Sequence, residues 1–349
     1  MIAQYLQIAR QVKASDIHFT YGVAPVIRVR GTLQPVSDQK LTDNDIMDML
    51  AEVLTEKEMI KFKQGQDIDS AFSDAEDLRY RLNAYRQKDH PAMAIRLLSE
   101  TIPTIDELGL PVVLKELCNL PRGLIIVTGP TGSGKSTSLA AMIDYINTNK
   151  KVHILTMEDP IEYVHNHKSC LINQREIGKD IDDYNAALKS ALREDPDVIL
   201  VGELRDYETI SLATTAAETG HLVFATLHTS GASQTVERMI DVFPSSQQGQ
   251  IRTQLASSLK AVISQTLLPR KDGNGRLGAF EIMINNDAIN NLIREGKTHQ
   301  IISTMQSNLA KGMKTLDAYL ADLVMAGDIT LESALEKCSD KETFKRLCR

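Results

Sequence analysis

Residues 129–137 read Gly-Pro-Thr-Gly-Ser-Gly-Lys-Ser-Thr, and the apolar run Leu124-Ile125-Ile126-Val127-Thr128 leads straight into them. A helix-forming stretch from Ser138 to Ile146 follows. This is the pattern G-x-x-x-x-G-K-[ST] in the strand–loop–helix context that gives it physical meaning. Gly129, Gly132 and Gly134 permit tight bends that aim consecutive N–H groups inward, and the helix adds its positive end. Lys135 brings a charge suited to β- and γ-phosphates, and the Ser136 hydroxyl is placed for Mg²⁺. The nucleotide contacts expected are Gly129, Pro130, Thr131, Gly132, Ser133, Gly134, Lys135, Ser136 and Thr137. A glycine-rich turn with a chance Lys-Ser would lack both flanking elements. The chemistry implied is the binding of a nucleoside triphosphate.

Further candidates fall where apolar runs end. Val198-Ile199-Leu200-Val201 closes on Gly202-Glu203, and Glu203 is expected to hold Mg²⁺ through water, opposite Ser136. His153-Ile154-Leu155-Thr156-Met157 closes on Glu158-Asp159-Pro160. A carboxylate there can polarise a water beside the γ-phosphate, and Glu158 is the expected base. Asp159, before a proline, reads as a turn former, and Glu162 as an auxiliary. His221 and His228 bracket the apolar strand Leu222–Leu227. With Thr226, His228 suits a γ-phosphate sensor, although a lone strand-end histidine is often structural. Arg81 and Arg96 lie fifteen positions apart in strand-like runs. They read either as surface arginines or as guanidiniums that cover the phosphates, with Arg86 and Arg205 as further candidates.

Elements of both periods must position these groups. From Val112 onward, strands are expected at 123–128, 152–157, 169–173, 198–201 and 222–227. Helices are expected at 136–148, 184–194, 207–219, 232–242 and 247–266. Residues 276–284 return as part of a strand pair around the Gly-rich turn 272–275, and the chain is helical after Asn285. Such alternation builds a mostly parallel sheet with ligands at the carboxyl ends of its strands. The first hundred residues read as a small α/β domain. Helix is expected over 1–13 and over 41–63 from the cap Thr42, with strands at 17–19, 26–30, 67–73, 78–87 and 92–98. Pro103, Gly109 and Pro111 mark an interdomain linker. The expected domains are therefore 1–98 and 112–349, joined by 99–111, with 285–349 as a helical C-terminal part.

Composition excludes several classes. At 349 residues the chain is long enough for two cores. No apolar run approaches the roughly 18–20 residues that span a bilayer, and Met1–Leu6 lacks the basic flank of a secretory signal. Cys118, Cys170, Cys338 and Cys348 form no C-x-x-C pair, which suits reduced thiols rather than a zinc site or a disulfide framework. Acidic residues exceed basic ones by 46 to 39, Trp is absent and aromatics are 5%. This balance weighs against nucleic acid as a partner.

With these residues in hand, the chain closely resembles the secretion-type ATPases of the RecA class over nearly its whole length, and within them the retraction-type pilus ATPases. The blocks that carry the resemblance are 129–137, Glu-Asp-Pro-Ile-Glu (158–162), Asn-Gln-Arg-Glu (173–176), Arg-Glu-Asp-Pro-Asp-Val-Ile-Leu-Val-Gly-Glu (193–203) and Thr-Ala-Ala-Glu-Thr-Gly-His-Leu-Val-Phe (215–224). In the family's terms these hold Walker A, the Asp box at Glu158, Walker B at Glu203, and the His box around His221 and His228. Family members place two first-domain arginines near the nucleotide at the spacing of Arg81 and Arg96. Beginning at the smaller domain and lacking C-x-x-C, the chain resembles the retraction type rather than the extension type. Ala288-Ile289-Asn290-Asn291-Leu292-Ile293-Arg294-Glu295 nearly matches a retraction hallmark, with Asn290 at its first arginine. Ile289, Leu292 and Ile293 equally suit the inward face of a packing helix.

The resemblance implies a PAS-like N-terminal α/β domain and a RecA-like P-loop ATPase domain with a helical C-terminal region. It also implies ATP hydrolysis with Mg²⁺, a homohexameric ring and docking on an inner-membrane platform protein. A cytoplasmic motor for type IV pilus retraction and twitching motility is the function it implies. The alternatives are an accessory pilus or secretion ATPase of the same family, and a RecA-like nucleic-acid translocase.

Overall fold

The computed structural model describes residues 1–76, 78–98, 101–309 and 312–348. Contacts divide the chain into two units, Met1–Thr101 with Pro160–Val164, and Ile102–Asp159 with His165–Arg349. Positions 99 and 100 of the expected linker lie outside the described residues, as do 310, 311 and 349 of the expected helical part. The rest of that linker does not stand apart. Ile105 and Leu110 are buried with Leu114, Leu117 and Ile125 in the core of the second unit, because their apolar side chains find cover there.

The first unit runs α1 (Ile2–Gln11), β1 (Asp16–Thr20), β2 (Val26–Val29), β3 (Thr32–Pro35), α2 (Asp43–Val53), α3 (Glu56–Lys63), β4 (Ile68–Ser73), β5 (Arg79–Gln87) and β6 (His90–Leu97). Its antiparallel sheet has the order β3-β2-β1-β6-β5-β4. Tyr80, Leu82 and Ala84 face inward from β5, alternating with Arg79, Arg81 and Asn83, and pack with Phe19, Met49, Leu50 and Met93. Two details depart from expectation. The single helix over 41–63 is two, because Leu54 is extended and Thr55 opens a new helix. Thr55 Oγ1 accepts from the Glu58 N–H at 3.3 Å, and Glu58 accepts from the Thr55 N–H at 2.8 Å. This reciprocal cap satisfies two N–H groups that a continuous helix would bond internally. β3 is a further strand, exposed throughout and ending in Pro35, which an edge tolerates.

The second unit opens with α4 (Val113–Cys118) and continues β7 (Gly123–Thr128), α5 (Lys135–Asn149), β8 (His153–Glu158), β9 (Leu171–Glu176), α6 (Tyr184–Ala191), β10 (Val198–Val201), α7 (Tyr207–Glu218), β11 (Leu222–Leu227), α8 (Ala232–Asp241), α9 (Ser245–Ser258), β12 (Leu259–Pro269) and β13 (Arg276–Ile284). After these come α10 (Asp287–Glu295), α11 (Ile301–Gln306), α12 (Leu316–Ala326), α13 (Leu331–Lys337) and α14 (Lys341–Leu347). The sheet order is β13-β12-β7-β11-β10-β8-β9, parallel except for β13 at the edge. β7, β10 and β11 are buried at every position, as helices on both faces require.

The helix expected over 247–266 ends at Ser258, and Leu259–Pro269 is a strand. Its Val262, Ile263 and Thr266 are β-branched, and the run is buried beside β7. A short apolar run of this kind reads as buried strand or buried helix alike, and only pairing with β7 and β13 decides it.

Between β8 and β9, His165 is buried, and its pKa falls from the usual 6.5 to about 4 because burial disfavours the cation. Asp144 pulls it up and Lys168 pushes it down, both less strongly than burial. The unfolded chain therefore binds more protons between pH 4 and 6.5. The neutral ring contributes about 3 kcal/mol that is fully present above pH 6.5 and lost as pH falls towards 4. A His165→Gln variant should show a flatter fall of Tm across that window than the wild type, and equal slopes would reject this account.

Candidate nucleotide-binding site

The loop between β7 and α5 is shaped by its glycines and by a neighbour that sequence reasoning missed. Gly129 and Gly134 have φ of 140° and 89°, the region that favours glycine. A Cβ on Gly129 would lie 2.2 Å from the Gln265 carbonyl oxygen, and one on Gly134 would lie 2.8 Å from Gln265 Nε2. Gln265, buried on β12, also accepts from Ser138 Oγ at 2.8 Å through its Oε1. One side chain thus presses on the loop and fastens the first turns of α5. The available signal was a polar Ser264-Gln265 pair inside an apolar run, hidden by the helical reading of that run.

The loop's donor set fits a polyphosphate. No side chain caps α5, and the start of a helix turns N–H groups and a positive end towards an anion. Ser133 Oγ is buried without a partner. Lys135 is buried, and its ammonium donates to the Gly129 and Pro130 carbonyls at 2.8 and 3.1 Å, held over the loop. Ser136 is exposed at the start of α5, and Thr131 and Gly132 are exposed in the loop. Among the described residues no three His, Cys, Asp or Glu side chains gather as a metal cage. Mg²⁺ beside a nucleotide takes one or two protein groups and completes its shell with phosphate and water, and the Ser136 hydroxyl and Glu203 carboxylate are oxygen donors of the kind it takes.

The carboxyl ends of β8, β10 and β11 lie on the same sheet edge as the end of β7. Glu158 Oε1 accepts from Thr156 Oγ1 at 2.7 Å and from Gln174 Nε2 at 3.0 Å. Glu203 stands two residues beyond β10. Its Oε2 accepts from Arg205 Nε at 2.9 Å, and its Oε1 lies 3.4 Å from His228 Nε2. Arg205 also reaches Asp159 at 3.5 Å, and its hydrogen bond to Glu203 raises its pKa above the usual value. Tyr184 lies beneath this group, its hydroxyl pushed up by burial and then by the carboxylates of Asp159, Glu203 and Glu158. Thr226 Oγ1 donates to the Gly202 carbonyl, tying β11 to the Glu203 turn.

The two histidines separate. His228 follows β11 at the phosphate end. His221 precedes it at the other end, where its Nδ1 bonds the Ala216 carbonyl at 2.9 Å and its own carbonyl accepts from the Gly123 N–H that starts β7. The geometry at His221 is that of a turn after α7.

Arg81 and Arg96 belong to the first unit. They are directly opposite one another on β5 and β6, hence on one face of that sheet. Two facing guanidiniums repel, and acids offset the repulsion. Arg81 forms a fork with Asp69 at 3.1 and 2.6 Å, and Arg96 Nε donates to Asp16 at 2.9 Å. Burial raises the Asp16 carboxyl, but hydrogen bonds from Ser15 and Arg96 outweigh it and hold the pKa below the usual range. Arg86 bonds the Asp89 carbonyl at its own hairpin turn. Glu162 falls in the Pro160–Val164 segment grouped with the first unit.

Fold and site together define a P-loop nucleotide-binding protein of the α/β class. The chain matches the Type II/IV secretion system protein family over residues 1–336, and it belongs to that family. It is 47% identical over 343 residues to the type IV pilus retraction ATPase PilT of Pseudomonas aeruginosa, covering 98% of this chain and 99% of that one. It is also 47% identical over 320 residues to a twitching motility protein of Neisseria gonorrhoeae, covering 92% and 86%. The crystal structure of the pilus retraction motor PilT with bound ADP superposes with a TM-score of 0.93 at 46% identity, covering 99% of each chain.

Proposed function

We propose that this chain is the subunit of a homohexameric ATPase that hydrolyses ATP to power type IV pilus retraction. It works in the cytoplasm, docked on an inner-membrane platform protein. The observation that carries this reading is a complete phosphate loop whose sheet edge also presents Glu158, Glu203 and His228. Full-length similarity to a retraction ATPase supports the biological assignment. Among the described residues no helix is long and apolar enough to cross a membrane.

In this reading Lys135 and the 129–137 amides bind the β- and γ-phosphates. Ser136 and Glu203 hold Mg²⁺, which supplies charge neutralisation when bound. Glu158 orients water and takes its proton, His228 reads the γ-phosphate, and Arg81 and Arg96 neutralise charge developing there. Loss of the terminal phosphate then changes how the two units are held, and that change is the working stroke.

The test is a deletion strain scored for surface pili and motility. Excess pili with lost twitching is expected, and loss of pili would overturn retraction in favour of extension or secretion. Arg81→Ala and Arg96→Ala should each lower ATP turnover about tenfold or more. Stability should change little, because exposed ion pairs contribute no more than about 1 kcal/mol. Full turnover in both variants would make them surface residues only.

A further inference from the structure

The four residues between β11 and α8, His228-Thr229-Ser230-Gly231, are held from several sides. Thr128 Oγ1 donates to the Thr229 carbonyl at 2.6 Å, and the two hydroxyls are 2.8 Å apart. Thr128 is the residue before the phosphate loop, so this end of the segment is anchored to the end of β7. The other end is held from β12 and β13. Ser264 Oγ accepts from the Gly231 N–H at 3.0 Å. Glu281 is directly opposite Ser264 in the β12–β13 pair and therefore on the same face. Its Oε1 accepts from the Ala232 N–H, the first helical residue of α8, at 2.7 Å. Its Oε2 accepts from the Leu316 N–H, the first helical residue of α12, at 3.4 Å.

A buried carboxylate shared by two helix starts is an unusual use of an acid in a core. Glu281 is only 5% exposed. Burial pushes its carboxyl up and Asp317 adds to this, while the two helix amides pull the other way. Gly231 has no side chain to cap α8, and Glu281 supplies a side-chain acceptor to the first amide of that helix. A cavity of about 310 Å³, lined in part by Ser230, Gly231, Glu281 and Thr315, opens beside the bridge. Packing therefore does not clamp this stretch on its cavity side, which leaves hydrogen bonds to fix it.

We propose that Glu281 is a positioning residue for ATP turnover, setting the His228 loop by bridging the first amides of α8 and α12. The proposal rests on the role given to His228 above. It also makes the C-terminal helices part of the apparatus that holds the sensor, because α12 shares the same carboxylate.

The experiment measures phosphate release and ATP affinity in the full-length protein carrying Glu281→Gln, Glu281→Asp or His228→Ala. In Glu281→Gln one acceptor becomes an NH₂ facing an N–H. In Glu281→Asp the carboxylate is one methylene too short to reach both amides, so either variant tests the bridge if the other folds poorly. A loop displaced by a fraction of an ångström is expected to lower kcat by about tenfold or more. KM for ATP should stay within about twofold, since Gln265 and α5 hold the phosphate loop independently of Glu281. Unchanged kcat in a folded Glu281 variant, or a KM that rises in step with the loss of kcat, overturns the proposal. Full turnover in His228→Ala would instead remove the sensor role on which the proposal stands. A loss there beside a silent Glu281→Gln would sink the bridge alone.

Discussion

Lys135→Ala is expected to abolish productive ATP binding. The ammonium is buried and already held by the Gly129 and Pro130 carbonyls, so it is positioned before any phosphate arrives. A charge-assisted contact to phosphate lost from such a site costs about 3 kcal/mol, roughly a hundredfold in Kd. The lost stabilisation of developing charge should lower turnover by about another hundredfold or more. The substitution removes no hydrophobic-core side chain, and Pro130, Thr131 and Gly132 of the loop are exposed, so the fold should survive it. Titration with a fluorescent ATP analogue and phosphate release measure the two effects. Wild-type affinity in Lys135→Ala would mean that the phosphates bind elsewhere.

The second large effect separates binding from chemistry. Glu158→Gln keeps the shape of the side chain, and its carbonyl oxygen still accepts from Thr156 Oγ1 and Gln174 Nε2. Nucleotide should therefore bind as in the wild type. Loss of the proposed base should lower kcat by about 10²–10⁴. A variant that binds ATP and holds it uncleaved is the expected product, read as retained triphosphate after gel filtration. Hydrolysis at the wild-type rate would move the base to another acid, with Asp159 and Glu203 the nearest along the same sheet edge.

The phosphate loop was readable because its parts are local. A phosphate loop is nine consecutive residues between a strand and a helix, and the types at each position are dictated by φ, charge and hydrogen bonding. Glu158 and Glu203 were readable for a related reason, since an apolar run that stops at a carboxylate marks a buried strand reaching its ligand end. The Thr55-x-x-Glu58 cap was also in the text of the chain. The richness of 41–63 in Met, Leu and Glu behind the Thr42 cap suited a single helix, and that signal prevailed.

What could not be read was set by pairing. Residues 259–268 suit helix or strand until β7 offers an open edge, and with the strand comes Gln265 behind the phosphate loop. Arg81 and Arg96 are fifteen apart in sequence, and only the β5–β6 register makes them neighbours on one face. His228 was favoured over His221 from the sequence, and the structure shows the physical difference: a strand has two ends, and the one at His221 closes the turn after α7.

The amino-acid order alone showed a phosphate loop and the strand-end places of Glu158 and Glu203, because each is written in a short run of consecutive residues. The tertiary structure decided what stands behind the loop, which histidine shares its edge, and which carboxylate ties that edge to the C-terminal helices. Those contacts join positions from 35 to more than 120 residues apart, and no local preference encodes them; they exist only once strands have chosen their partners.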